Sequence, residues 1–150
     1  MGINLQTYSL RLVKEDGNRY KGLKKYINTP EDGYKVFMEV LDMDERAQEI
    51  FGLICLNIQN KVVGVFTVSK GMLSKSSASP RSIYQRAVLQ NAAGIIIGHN
   101  HPSGDPSPSD DDKKITEKLV KAGEYLDIEL LDHIIVGHSD FISMKERKLI

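Results

Sequence analysis

The chain has 150 residues, 41% of them hydrophobic and 27% charged, which suits one globular domain with a single core. Its 20 basic and 20 acidic residues give a formal net charge of zero, which excludes the strong positive field of proteins that bind nucleic acid through charge alone. No apolar run approaches the ~20 residues of a membrane span and the N-terminus lacks a signal-peptide pattern, so a soluble, cytoplasmic protein without a membrane partner is predicted.

The first half of the chain predicts a helix followed by a hairpin. Residues 1–28 alternate weakly and then turn polar, which predicts a short N-terminal extension in the form of a strand or hairpin. The run "TPEDGYKVFMEVLD" opens with a cap, a first-turn proline and an acid at capping-box spacing, and predicts a helix over 30–42. The runs "EIFGLICLNI" and "VVGVFTVS", joined by "QNK", predict two substantially buried strands of a hairpin, with Cys55 as a buried thiol.

The second half alternates helices and strands. Ser79 and Pro80 form another cap and first-turn pair, which predicts a helix over 80–91. The run "AAGIIIGHNH" predicts a short buried strand, and "SDDDKKITEKLVKAGEYL" predicts a helix with acids at its start. The run "IELLDHIIVG" predicts a last strong strand that pairs with "DFISM". This order predicts an α/β fold, a single domain with a mixed sheet.

Two histidines one residue apart follow the buried strand in "GHNHPSGDPSPSDDD", residues 98–112. If the strand continues in extended form, His99 and His101 point to the same side, because side chains alternate with a period of two. Two imidazoles that face one point suit a transition metal. Imidazoles with a carboxylate in an open site are typical of catalytic zinc, so the stretch predicts metal binding.

A third ligand has to come from elsewhere, and the acids that open the next helix are the candidates. Asp110, Asp111 and Asp112 all qualify on sequence grounds. Ser109 and Asp112 also have the spacing of a capping box, so an ordinary surface loop followed by a capped helix is the alternative for that pair.

A zinc hydrolase also needs a base that accepts a proton from water, and glutamate is the usual residue. Glu39, Glu45 and Glu49 lie upstream, and Glu49 directly precedes an apolar strand, although an ordinary solvated charge is the simpler interpretation of that position. His133, inside "LLDHIIVG", is predicted to be a core histidine or one that supports a ligand from behind, held by the preceding aspartate or by backbone. His138 is predicted to lie in an exposed turn.

The stretch 98–112 resembles the JAMM metalloprotease signature, which is a distant Glu, then His-x-His, seven residues, Ser, two residues and Asp. Counted from His101, seven residues lead to Ser109 and two more lead to Asp112. The strings "HNHPSGDPSPS", "LDHIIVG" and "FISMKE" resemble the RadC-like branch of the JAB/MPN superfamily. The resemblance covers residues 29–150.

The resemblance implies a JAB/MPN-like, cytidine-deaminase-like fold, which is a curved mixed β-sheet flanked by helices. It implies that His99, His101 and Asp112 bind Zn²⁺, that Glu49 is the general acid/base, and that Ser109 hydrogen-bonds the developing oxyanion. It also implies a zinc-dependent hydrolase, a peptidase or isopeptidase, in which a metal-bound water activated by the glutamate attacks an amide carbonyl of a peptide or protein substrate.

The chain departs from the RadC-like pattern at three places. "PRS" at 80–82 replaces the usual "PRE", Lys148 replaces a glycine, and residues 1–28 are too short for the helix-hairpin-helix region of longer relatives. These departures weaken a DNA-repair role more than the hydrolase chemistry. The alternative function is a DNA-repair or genome-maintenance accessory protein that acts by binding nucleic acid or protein, and a metal-free scaffold is the third.

Overall fold

Three helices and five strands make up the part of the chain that the computed structural model describes. That part comprises residues 5–7, 9, 11–15, 17–18, 20–43, 47–71 and 78–150. In chain order the elements are α1 (Pro30–Leu41), β1 (Ile50–Leu56), β2 (Val62–Lys70), α2 (Pro80–Leu89), β3 (Gly94–Asn100), α3 (Asp110–Leu126), β4 (Glu129–Val136) and β5 (Phe141–Ser143). Each predicted helix is confirmed, with bounds within two residues of the prediction.

The five strands form one mixed sheet in the order β2-β1-β3-β4-β5. β3 and β4 pair in parallel and are connected by α3, whereas the other three neighbouring pairs are antiparallel. The α/β fold with a mixed sheet flanked by helices, in a single domain, is therefore confirmed. β3 lies at the centre of the sheet, so the histidines at its end are held by paired strands on both sides.

The helices begin where their caps predict. The Thr29 side chain accepts the backbone N–H of Asp32, and the Asp32 carboxylate accepts the N–H of Thr29, which completes a capping box at α1. The Ser79 hydroxyl oxygen accepts the N–H of Ser82 at the start of α2. These bonds satisfy backbone donors that the first helical turn leaves unpaired, each worth about 1 kcal/mol.

Alternate residues of β1 face opposite layers of helix. Phe51, Leu53 and Cys55 pack with residues of α2 and α3, whereas Ile50 and Ile54 pack with residues of α1. Every residue of β1 is buried, so the strand is covered on both faces. The predicted buried thiol is confirmed, and burial raises the pKa of Cys55 to about 12.

One residue of β4 is extra in its pairing with β3. Ile95 pairs with Leu130 but Ile96 pairs with Asp132, so Leu131 has no partner of its own. A bulge of this kind changes which residues of a strand share a face. As a result Leu130 and His133, three residues apart, lie on the same side of the sheet as α2 and α3.

β2 is less buried than predicted. Both strands of the hairpin were expected to be substantially buried, but only β1 is. β1 and β2 pair as predicted, but β2 is the edge strand of the sheet and most of its residues are half-buried. The prediction for residues 1–28 falls partly outside the described residues. In the described part of that stretch Tyr26 makes an isolated antiparallel bridge with Lys61, and no longer strand is present.

Two facing glycines make room for a phenylalanine directly behind the site. Gly52 and Gly98 are paired across β1 and β3, and a Cβ added at Gly98 would lie 2.5 Å from a ring carbon of Phe37. Gly98→Ala is therefore expected to destabilise the fold by about 1–3 kcal/mol, the usual cost of overpacking a core. The free energy of unfolding in urea measures the loss.

The control for this prediction removes the ring that the added methyl group would contact. Phe37→Leu removes the ring, so the double variant with Gly98→Ala is expected to lose less stability than the two single losses added together. A Gly98→Ala protein within about 0.5 kcal/mol of the wild type would contradict the packing explanation.

Candidate metal centre

The two histidines at the end of β3 point to one place, as the strand period predicts. His101 continues the extended chain beyond Asn100, because its backbone N–H bonds Val136 O of β4 at 2.9 Å. The Nε2 atoms of His99 and His101 lie 2.9 Å apart. The His99 side chain is fully buried, whereas 19% of the His101 side chain is exposed, so solvent reaches the pair from the His101 side.

Asp112 is the aspartate that joins them. Its Oδ1 lies 3.1 Å from His99 Nε2 and its Oδ2 lies 3.4 Å from His101 Nε2. The side chains of Asp110 and Asp111 are 88% and 83% exposed and lie in surface ion pairs with lysines. The helical turn therefore directs Asp112 alone of the three aspartates inward, towards the two histidines.

Capping and metal-ligand geometry coexist at Ser109. The Asp112 N–H donates to Ser109 Oγ at 3.1 Å, while Ser109 N and Oγ donate to Asp112 Oδ2 at 2.8 and 2.7 Å. The capping box that the sequence offered as an alternative is present, and it also orients the carboxylate so that Oδ1 is left for another partner. The oxyanion role of Ser109 remains a prediction.

The donor set fits a divalent transition-metal ion. His101 Nδ1 lies 2.8 Å from Asp105 O, and since a carbonyl only accepts, Nδ1 carries the proton and Nε2 presents a lone pair. His99, His101 and Asp112 offer ligand atoms that all lie within 4.8 Å of one another. Ligands about 2.0–2.1 Å from a tetrahedral ion are themselves about 3.3 Å apart, close to the separations seen. Converging acceptors of this kind repel one another unless a cation lies between them.

The electrostatics of the cluster keep the carboxylate ionised. Burial of Asp112 acts to raise its pKa, but the contacts of its carboxylate with His101, His99 and Ser109 outweigh burial, and the pKa lies well below its usual range. Contact with the Asp112 carboxylate raises the pKa of His101, because it stabilises the charged form of the ring, against the effect of burial. The cluster therefore holds a fixed negative charge beside two imidazoles.

Glu49 directly precedes β1, the neighbouring strand, and lies next to the cluster. Phe51 pairs with His99 in the antiparallel register of β1 and β3, and Glu49 comes two residues before Phe51, at the end of β1 that borders the histidines. Burial raises the pKa of Glu49, the charges of His99 and His101 lower it, and that of Asp112 raises it. Glu49 is thus close enough to all three residues to interact with them, whereas Glu45 lies outside the described residues.

Sequence reasoning overlooked Asn100, which holds the chain on both sides of Glu49. Asn100 is 3% exposed. Its Oδ1 accepts the backbone N–H of Ile50 at 2.7 Å, and its Nδ2 donates to the backbone carbonyl of Gln48 at 3.1 Å. A polar residue between two ligands on a buried strand was the available signal, because such a side chain needs partners on the opposite face.

His133 supports the site from behind, as predicted, although the preceding aspartate does not bond its ring. The ring Nε2 of His133 lies 2.9 Å from Nδ1 of His99, while Asp132 Oδ1 accepts the His133 backbone N–H at 2.7 Å. The ring of Phe51 stacks on His99 at a centroid distance of 5.8 Å. His138 is exposed in the turn after β4, as predicted.

The chain is similar to a family of known proteins. Residues 27–149 match the family described as RadC-like JAB domain. The chain belongs to this family. Relatives of this RadC-like JAB domain, each named UPF0758 protein, occur in Clostridium beijerinckii (45% identical over 83% of the chain), Caldanaerobacter subterraneus (41% over 81%) and Moorella thermoacetica (43% over 99%).

The RadC-like JAB domain is shorter than these relatives. The matched parts make up 53%, 51% and 66% of the three relatives, so the chain spans about half to two thirds of their length. In the described part of the chain, no helix has the length and apolar character needed to cross a membrane.

Proposed function

We propose that this domain is a zinc-dependent hydrolase that cleaves amide bonds in peptides or proteins, as a peptidase or isopeptidase. One observation carries the proposal: Nε2 of His99, Nε2 of His101 and Oδ1 of Asp112 converge on one point that is open to solvent on the side of the half-buried His101, with Glu49 nearby. An open side distinguishes a catalytic metal site from a closed structural one.

The chain's own residues perform two tasks at such a site. His99, His101 and Asp112 would hold the ion with two neutral imidazoles and one carboxylate, each oriented by its own hydrogen bonds. When bound, Zn²⁺ would lower the pKa of a water molecule and polarise the substrate carbonyl.

Glu49 would move the proton. Its carboxylate accepts a proton from the attacking water and returns it to the amine nitrogen that leaves, so one residue acts first as base and then as acid. Burial, which raises the pKa of Glu49, favours this second step because it makes the protonated form accessible.

Ser109 would act in either of two ways. Its hydroxyl proton is directed at Asp112 Oδ2 at 2.7 Å, so in this arrangement it orients a ligand. To stabilise a developing oxyanion, the hydroxyl would have to turn from that carboxylate towards the substrate, which its exposed position at the start of α3 allows.

The proposal is tested by metal content and cleavage measured together. Protein purified without chelators is expected to carry about one equivalent of zinc by elemental analysis and to cleave members of a peptide and isopeptide library. His101→Ala is expected to lose both properties, because two ligands hold an ion much more weakly than three.

His138→Ala is the matched control, since it removes an exposed histidine from a turn rather than a ligand. It is expected to retain metal and cleavage. Wild-type protein without metal, or cleavage that persists in His101→Ala, would refute the proposed function.

A further inference from the structure

A chain of hydrogen bonds runs from one candidate ligand through the core to the backbone of another. His99 Nδ1 lies 2.9 Å from His133 Nε2, and His133 Nδ1 lies 2.7 Å from Thr116 Oγ1. Thr116 Oγ1 in turn lies 2.6 Å from the backbone carbonyl of Asp112. His99, His133 and Thr116 are at most 1% exposed, and we refer to the three as the buried relay.

The backbone carbonyl of Asp112, at the end of the buried relay, sets the direction of every hydrogen bond in it. A backbone carbonyl only accepts, so the Thr116 hydroxyl donates its single proton to Asp112 O. The other contact of that hydroxyl, the sulfur of Met144 at 3.5 Å, also only accepts. Whether the hydroxyl proton goes to the carbonyl or to the sulfur, the hydroxyl oxygen therefore accepts a hydrogen bond from His133.

The same reasoning gives the direction of the hydrogen bond between His133 and His99. Because His133 Nδ1 donates to Thr116, the neutral ring has no proton on Nε2, and that atom accepts from His99 Nδ1. With its proton on Nδ1, His99 has a lone pair on Nε2, the atom that faces His101 and Asp112.

We propose that Thr116 and His133 are positioning residues that hold His99 in the tautomer with the proton on Nδ1, so that its Nε2 is free to bind a metal ion. The inference rests on the proposed function in that His99 is taken as a ligand. The buried relay begins at a ligand on β3 and ends on the backbone of a ligand in α3, so it also fixes the two elements that carry the site relative to each other.

An ordinary core role for these residues makes a different prediction. Buried polar groups need partners, and the two rings would still have partners if Thr116 donated to His133 and both rings carried their protons on the opposite nitrogens, with only the Thr116 bond to Asp112 O lost. In the reversed arrangement His99 would carry its proton on Nε2 and could not bind an ion through that atom. The tautomer of His99 in the metal-free protein therefore separates the two explanations.

The first experiment needs no variant. Ring ¹⁵N shifts of the metal-free wild-type protein, recorded at about pH 8 where histidines are ordinarily neutral, report which nitrogen of each ring is protonated. The expected result is a proton on Nδ1 of both His99 and His133. A proton on Nε2 of His99 would overturn the proposal.

The second experiment removes the Thr116 hydroxyl, which sets the direction of the buried relay. Thr116→Val keeps the shape of the side chain but has no oxygen to accept from His133, so His133 is expected to move its proton to Nε2 and to force the opposite tautomer on His99. Zinc affinity, measured by competition with a chromophoric chelator, is expected to fall about 10–100-fold. Co²⁺ absorption provides a second measure of the ligand set.

Thr116→Ser restores the hydroxyl and is expected to restore both the tautomer and most of the affinity. Thr67→Val, on the exposed position of β2, is the control for loss of a threonine hydroxyl. Wild-type zinc affinity in Thr116→Val would overturn the proposal, even if the variant is less stable.

The two proposals can fail separately. If the wild-type protein binds no zinc, the proposed function fails, yet the ¹⁵N shifts still decide the tautomer. If His101→Ala abolishes metal binding and cleavage while His99 carries its proton on Nε2, the proposed function stands and the buried relay does not.

Discussion

Glu49→Gln is expected to lower the rate of amide hydrolysis by about 10²–10⁴-fold, the usual contribution of a general acid/base. The amide of glutamine has nearly the shape of the carboxylate but cannot accept and return a proton. Because Glu49 is not one of the three converging ligands, zinc affinity is expected to stay within a few-fold of the wild-type value. Turnover and metal content are measured on the same preparation.

Glu129→Gln is the matched control, because Glu129 is exposed and lies at the end of the sheet opposite the histidines. It is expected to retain full activity. A Glu49→Gln protein with wild-type turnover would remove Glu49 from the chemistry. Loss of zinc from that variant would instead make Glu49 part of the metal site.

Asp112→Asn is expected to abolish zinc binding without unfolding the protein. The amide oxygen can still accept from Ser109, which preserves the cap of α3, while the charge that attracts the ion is lost. The new amide N–H₂ can donate to the imidazole lone pairs that face Asp112 in the wild type. The metal-free variant is therefore expected to remain folded and to unfold cooperatively in urea.

The comparison variant is Asp111→Asn, which neutralises the neighbouring acid in the same helical turn. Its side chain is 83% exposed and pairs with Lys114 at 3.6 Å, an interaction worth little. It is expected to bind zinc normally. Tight zinc binding by Asp112→Asn, measured by chelator competition, would show that this carboxylate is not a ligand.

Local rules predicted the parts of the site that depend on neighbours in sequence. The strand period placed His99 and His101 on one side, and capping-box spacing placed Ser109 and Asp112 in the first turn of α3. The three aspartates are the same residue type, and only the helical turn distinguishes Asp112 from its two neighbours, because it directs Asp112 inward. Resemblance to a family, rather than any local rule, singled out Glu49.

The remaining features depend on contacts between distant parts of the chain. Thr116 looks like any polar residue of an amphipathic helix until α3 packs against β4, and only then does its hydroxyl meet His133. Asn100 similarly gains its two backbone partners only when β1 lies beside β3. The periodicity of apolar residues does not predict strand order or register, so neither residue stands out in the sequence.

The unpaired Leu131 makes the bulge in β4 part of the chemistry. Were Leu131 paired regularly with Ile96, Asp132 would pair with Ile97, and uninterrupted alternation would exchange Asp132 and His133 between the two faces of the sheet. An acid rather than an imidazole would then border His99. The bulge at a single residue thus determines that an imidazole ring, not a second carboxylate, stands behind the innermost histidine.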